Sequence, residues 1–262
     1  MKREPLWSGL ALVGALNARV GGALPREANG VSIDTRTLQP GDLFFAIKGE
    51  SRDGHDFVRA ALAKGAAAAV IDEAHAREFS GAGPLFIVKD VQLALESLGR
   101  RARERSGALI AAITGSVGKT STKDMTRQML SHVGEAHASV ASYNNQWGVP
   151  LTLSRLPAAA NYGVFELGMN HAGEIAALVK QVRPHVAVVT RVAPVHLEHF
   201  ASVEAIAAAK AEVFSGLEGG VAILNRDDAT YEQLAEAAAA TAGHVFSFGE
   251  SNLAEARLLS YR

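Results

Sequence analysis

The chain has 262 residues, with 26 Lys and Arg against 27 Asp and Glu and a formal net charge of -1, so it offers no broad basic field for nucleic acid. Zero cysteines exclude disulfides, thiolate metal sites and a cysteine nucleophile, in keeping with a reducing, cytoplasmic setting. The length suits two domains able to fold unaided, and no apolar run reaches the roughly 18 residues of a membrane span, so stable membrane insertion is not expected.

Lys2-Arg3 followed by the apolar run 6–16 has the basic and apolar parts of a signal peptide, but Glu4 and Pro5 interrupt the junction. Trp7, Leu10 and Val13, with Leu6 and Leu16, fall on one helical face, so a first amphipathic helix is expected instead. Residues 31–34 and 43–47 read as strands across the turn Gln39-Pro40-Gly41-Asp42. A helix over 56–64, ended by Gly65, precedes strands at 67–71 and 85–88. The Gly-rich stretch Ser80-Gly81-Ala82-Gly83-Pro84 marks a soft boundary, giving a small amino-terminal α/β domain over 1–84 and a second domain over 85–262. That second domain opens with a connecting helix, 90–105, carrying Val91, Leu95 and Leu98 as an apolar stripe. Its basic end reads as a solvated face complementing the helix dipole.

Residues 109–113 form a short apolar run suited to a buried strand, and 119–133 place Met125, Met129, Leu130 and Val133 at helical spacing. Between them lies Thr114-Gly115-Ser116-Val117-Gly118-Lys119-Thr120. At a strand end that opens a helix, backbone N–H groups favour an anion, the glycines admit it closely, Lys119 can reach outer phosphates and the Thr120 hydroxyl can hold Mg²⁺. The common GxxxxGK[ST] spacing would need Gly where the chain has Ile113, so this is the shorter TGxxGKT form. Further apolar strands at 162–167, 186–190, 221–225 and 244–248 alternate with helical patterns, the signature of a mostly parallel sheet covered on both faces. Ligands of such sheets collect at the carboxyl ends of the strands. The polar residues there are the loop itself, Glu166, the stretch 191–199 and Asn225-Arg226-Asp227-Asp228.

Glu166, at a strand tip beside a phosphate loop, is placed like an acid that holds Mg²⁺ in nucleotide sites, or it is a solvated strand-end acid. His196, just past another strand, reads either as a metal or catalytic group or as a packing residue. Lys210 shares a helical stripe with Ile206, Val213, Phe214 and Leu217, so it either snorkels to solvent or becomes a buried amine of lowered pKa. Asn144-Asn145 reads from composition alone as a turn.

With these residues in view, the chain resembles the Mur ligase family over nearly its whole length. Ser32-Ile33-Asp34-Thr35-Arg36, Pro40 to Ile47 with Gly49, and Asp53-Gly54-His55-Asp56-Phe57 look like the domain that receives the UDP end of the substrate. The short phosphate loop is the family's own form. Asn144-Asn145 with Gly148-Val149-Pro150, and Glu166-Leu167-Gly168-Met169-Asn170-His171-Ala172-Gly173-Glu174-Ile175, look most like the members that add D-alanyl-D-alanine to UDP-N-acetylmuramoyl-tripeptide.

The resemblance implies a UDP-substrate domain, with Ser32, Asp34, Thr35 and Arg36 and also Asn144 and Asn145 touching substrate, followed by a P-loop ATPase-type central domain. It implies ATP and two Mg²⁺ sites, one on Thr120 and Glu166 and one on His196 and a carbamylated Lys210, with Lys119, Glu166, His196 and Lys210 as the catalytic set. A monomer is expected. Mur ligases have three domains, so the sequence is expected to stop before the central domain is complete and to show little or no ligase activity alone in a coupled ADP-release assay. Another Mur or folylpolyglutamate-type amide ligase, and a nucleotide-binding module whose hydrolysis drives a partner, are the competing readings.

Overall fold

The computed structural model describes residues 5–195 and 199–260. The chain divides into two compact units: one runs to Arg105 and includes Leu153–Ala158, and the other comprises Ser106–Thr152 and the residues from Ala159 onward.

The first unit contains β1 (Trp7–Ser8), α1 (Gly9–Leu16), β2 (Arg19–Gly21), β3 (Glu27–Ala28), β4 (Gly30–Ser32), β5 (Asp42–Phe45), α2 (Val58–Ala63), β6 (Ala68–Asp72), β7 (Leu85–Val88) and α3 (Val91–Arg105). Five strands form a sheet in the order β2-β7-β6-β5-β4, parallel except for β2. Phe44, Ile71, Phe79 and Ile87 lie in the core on it. The boundary expected at 84 falls inside this unit, because β7 sits between β2 and β6 and cannot be separated from the sheet it completes. The first helix also differs from expectation. The Trp7 indole donates to the Ser154 carbonyl at 2.9 Å and Trp7 pairs with Ala28, which holds it extended. Ser8 then caps the helix by accepting from the Ala11 N–H, so α1 starts later and buries Leu12, Ala15 and Leu16 while Leu10 is 78% exposed. The Arg105 guanidinium stacks 3.6 Å over the Trp7 ring and donates to the carbonyls of Leu6 and Leu156, tying both ends of the unit to segment 153–158.

The second unit contains β8 (Leu109–Thr114), α4 (Lys119–Leu130), β9 (Ala136–Ala138), α5 (Gly148–Ser154, whose end runs into segment 153–158), β10 (Tyr162–Glu166), α6 (Glu174–Val182), β11 (Val186–Val189), α7 (Val203–Ala211), β12 (Val221–Asn225), α8 (Tyr231–Ala239), β13 (His244–Gly249) and β14 (Ala256–Arg257). Its seven strands are parallel, in the order β14-β13-β12-β11-β8-β10-β9. Apolar runs such as Val186-Ala187-Val188-Val189 suit strands flanked on both sides, as the alternating pattern predicts. The chain goes from β8 outward to one side and later returns to the other, so the strand order reverses at β8. The crevice at its carboxyl end is therefore where such a fold receives a ligand.

One helix of this unit is inverted relative to expectation. Met125, Met129 and Val133 are 64%, 71% and 72% exposed, whereas the buried residue of α4 is Lys123. The helical spacing is correct, but polar side chains occupy the inward face. Among the described residues, no helix is long and apolar enough to cross a membrane.

Candidate functional site

The loop after β8 is held in shape by its own main chain. Gly115 has φ +151°, and a Cβ there would run into the Thr190 hydroxyl, so only glycine fits. The Ser116 N–H donates to the Arg191 carbonyl at 2.7 Å, and the Ser116 hydroxyl donates to the Ala193 carbonyl while accepting its N–H. The Thr190 hydroxyl reaches the Val117 carbonyl at 2.6 Å, and the Val192 N–H donates to Asp228 at 2.6 Å. The carboxyl ends of β8, β11 and β12 are thus laced together around the loop. Lys119 opens α4 and donates to the Gly115 carbonyl at 2.8 Å.

Glu166 comes next to the loop by register. It ends β10 opposite Ile113 of β8, is 1% exposed, and accepts from the Thr120 hydroxyl at 2.9 Å and the Asn144 amide at 2.8 Å. The Ser142 hydroxyl lies 3.1 Å from that of Thr120. Loop, Ser142, Asn144 and Glu166 line a cavity of about 370 Å³. Gly168 lets Asn144 approach: a Cβ at 168 would lie 2.8 Å from the Asn144 side chain. Three hydroxyl and carboxyl oxygens converging beside a helix N-terminus and a lysine form a hard, oxygen-rich set suited to Mg²⁺ next to phosphate.

Lys210 is 3% exposed, inside the stripe of Ile206, Val213, Phe214 and Leu217 that the helical spacing predicts; it is a buried amine and does not snorkel. Burial, and then the nearby charge of Lys119, push its pKa down to about 8. Burial likewise lowers the Lys119 amine, opposed by the charge of Glu166. Thr114 to Thr120, Asn144 and Glu166 are therefore gathered in one place, with Lys210 close enough to feel Lys119. His196 lies outside the described residues. The Asn145 side-chain oxygen accepts from the N–H groups of Trp147 and Gly148, the turn-forming role at the start of α5. Ser142 and Lys123 are residues that sequence reasoning missed. A serine two places before Asn144 carries no signal, while Lys123, four residues after Lys119, differs from the apolar face only by its inward position.

In the first unit, the Asp34 carboxylate accepts a forked pair of bonds from the Arg36 guanidinium, which lowers its pKa, and the Ser32 hydroxyl donates to the Asp34 carbonyl. Lys64 donates to the Thr35 carbonyl at 2.7 Å. The four residues form one braced turn. A second cluster there, Asp53, His55 and His75, has ligand-type atoms within 4.8 Å of one another. It does not suit a metal. His55 Nε2 accepts the Asp72 N–H and Nδ1 donates to Asp53 at 2.6 Å, so a metal on Nδ1 would leave a ring with no proton on either nitrogen. His75 stacks on His55 at 3.9 Å and is bonded to Asp72, which raises its pKa.

Comparison with known proteins gives matches over residues of both units. The Mur ligase middle domain model matches residues 113–261, and the Mur ligase family catalytic domain model matches residues 27–103. The UDP-N-acetylmuramoyl-tripeptide–D-alanyl-D-alanine ligase of Escherichia coli K12 is 44% identical over 218 residues, covering 83% of this chain and 47% of its own. The ligase of the same name from Rickettsia prowazekii is 34% identical over 259 residues, covering 98% and 57%. Among solved structures, a MurF from Acinetobacter baumannii superposes with a TM-score of 0.83 at 34% identity, over 95% of this chain and 54% of that one. MurF ligase from Thermotoga maritima in complex with ADP gives 0.71 at 28% identity, over 85% and 51%. The chain spans about half the length of the relatives it matches.

Proposed function

The chain belongs to the Mur ligase family, and from that premise we propose that it serves the ATP-dependent joining of D-alanyl-D-alanine to UDP-N-acetylmuramoyl-tripeptide in peptidoglycan precursor synthesis. The observation that carries the reading is the buried Glu166 bonded at once to Thr120 of a TGxxGKT loop and to Asn144, in a chain whose relatives bear that activity in their names.

In this reading the loop N–H groups and Lys119 hold the β- and γ-phosphates of ATP. Thr120 and Glu166 would hold one Mg²⁺, and His196 and Lys210 a second, which would offset negative charge on the phosphate oxygens. An oxygen of the tripeptide's terminal carboxylate attacks the γ-phosphorus, the bond to the β-phosphate oxygen breaks, and ADP leaves with that electron pair. The amine of D-alanyl-D-alanine then attacks the acyl carbon, loses a proton and expels inorganic phosphate, leaving the amide. Lys119 compensates the negative charge carried by the γ-phosphoryl oxygens throughout. The Ser32 to Arg36 turn takes the UDP end, with Asn144 and Asn145 contacting substrate. A reducing cytoplasm containing ATP fits a chain without cysteine.

The substrate assignment is tested by calorimetry with this chain. UDP-N-acetylmuramoyl-tripeptide is expected to bind at least about tenfold more tightly than the corresponding dipeptide precursor, a gap of about 1.4 kcal/mol. Equal affinities would remove the assignment.

Lys210 enters the same reading as a carbamate, which turns a buried cation into an oxygen ligand. The neutral amine adds CO₂ and releases one proton. Because burial lowers its pKa from the ordinary lysine value of 10.5 to about 8, the folded chain disfavours the ammonium. That cost is fully present below about pH 8 and is relieved as pH rises from about 8 towards 10.5. With ¹³C-bicarbonate, a carbamate resonance is expected that strengthens as pH is raised through about 8 and is missing from Lys210→Ala. A resonance unchanged in that variant would exclude Lys210 as its source.

A further inference from the structure

Lys123 is 1% exposed, and its ammonium donates to the carbonyls of Ser139 at 3.0 Å and Ala141 at 3.3 Å. Its carboxylate neighbour at 3.2 Å is Asp124, which is 57% exposed. Burying a lysine is costly unless its ammonium is paired or hydrogen-bonded, and here that compensation comes mainly from the two main-chain carbonyls, which Lys123 in turn ties to α4. The segment it grips leaves the edge strand β9, beyond which the sheet provides no further donors for its carbonyls. Three residues on from Ser139, the same segment delivers the Ser142 hydroxyl to Thr120, and two further on, Asn144 to Glu166. The Asn144 N–H closes the turn on the Ser142 carbonyl, and the Asn144 carbonyl accepts from Gly168.

We infer that Lys123 is a positioning residue: it fixes the 139–144 segment to the helix that begins at the phosphate loop, so that Ser142 and Asn144 hold Thr120 and Glu166 in the arrangement that receives Mg²⁺ with a polyphosphate. This accounts for the inversion of α4. The inward face is occupied by the anchor of the site, and Met125 and Met129 are left to solvent. The role is distinct from that of Lys119, whose ammonium faces the loop itself.

The inference rests on the proposed Mg²⁺ role of Thr120 and Glu166, and the test separates the two. ATP affinity is measured by calorimetry on the whole chain, with and without Mg²⁺, for the parent, Lys123→Met and Lys123→Arg. The parent is expected to bind ATP more tightly with Mg²⁺. In Lys123→Met, that enhancement should fall by at least about tenfold, the usual effect of losing an outer support of a metal site, while Mg²⁺-free affinity stays within about twofold. Lys123→Arg, which keeps charged donors, should recover most of it. A role confined to stability would lower the denaturation midpoint and leave the enhancement intact below it, and that result would overturn the inference. If Lys123→Met does not fold, Lys123→Gln, whose shorter uncharged amide keeps only part of the grip, is expected to fall between the parent and a full loss, and an enhancement equal to the parent's would overturn the inference. A parent chain whose ATP binding ignores Mg²⁺ would instead overturn the metal reading of Thr120 and Glu166, and this inference with it.

Discussion

Glu166→Gln is expected to fold and to lose about a hundredfold or more of the Mg²⁺ enhancement of ATP binding. The side chain is 1% exposed and bonded to Thr120 and Asn144. An amide has the same shape and can still accept from the Thr120 hydroxyl, so the structural loss should stay near the worth of one hydrogen bond, about 1 kcal/mol. The negative charge is what disappears, and with it the group that a divalent cation needs most among oxygen donors. A second consequence concerns Lys119. Burial already lowers its pKa, and the charge of Glu166 is what opposes that shift, so the variant's Lys119 should titrate lower still. Weak phosphate binding should therefore fail at a lower pH in the variant than in the parent. Calorimetry across pH, with denaturation midpoints alongside, reads both effects; unchanged Mg²⁺ dependence in a folded variant would contradict the assignment.

Gly115→Ala should cost about 2–4 kcal/mol of stability, from backbone strain at positive φ plus overpacking, and should abolish phosphate binding. The methyl would occupy the space of the Thr190 hydroxyl, at a φ of +151° that L residues avoid. The two causes are separable. Thr190→Ala removes the obstructing oxygen together with its bond to the Val117 carbonyl, so it serves as the reference: relative to Thr190→Ala alone, the double variant should still lose about 1–3 kcal/mol from the backbone conformation at 115. Denaturant unfolding measures the parent, both single variants and the double variant. A double variant as stable as Thr190→Ala would mean that the steric collision alone excludes a side chain at 115.

The parts of this molecule that were legible beforehand are those written in residue order or periodicity. The phosphate loop declares itself because few residue orders serve at the end of a strand that opens a helix. Lys210 is legible because a 3.6-residue period puts it among Ile206, Val213, Phe214 and Leu217, all of which are buried. The same period misled at Met125, Met129 and Val133, since spacing identifies a helix but not which face is inward when a polar anchor competes for it. Trp7 departs from the helical pattern because its place is decided by a carbonyl 147 residues away. Strands of two or three residues, such as Arg19–Gly21 and Ala136–Ala138, carry too few side chains to show alternation. Lys123 and Ser142 escaped for the same reason as Trp7. Lys123 binds main-chain carbonyls, and these have no signature in sequence.

The lacing around the phosphate loop also determines how freely each of its positions can vary. Ser116 gives and receives with the main chain of Ala193, a double part that a hydroxyl can play and a methyl cannot. Ala193 contributes no side-chain atom to that exchange, so the contact itself asks only for an N–H and a carbonyl there, which bars proline. The same asymmetry separates Asp228, whose carboxylate is required, from Val192, which gives that contact its N–H while its side chain packs in the core. The demand on the side chain made by each contact therefore alternates, strict at 116 and 228 and slight at 193, while Val192 is held by the burial of its own side chain, although all four positions hold the same loop.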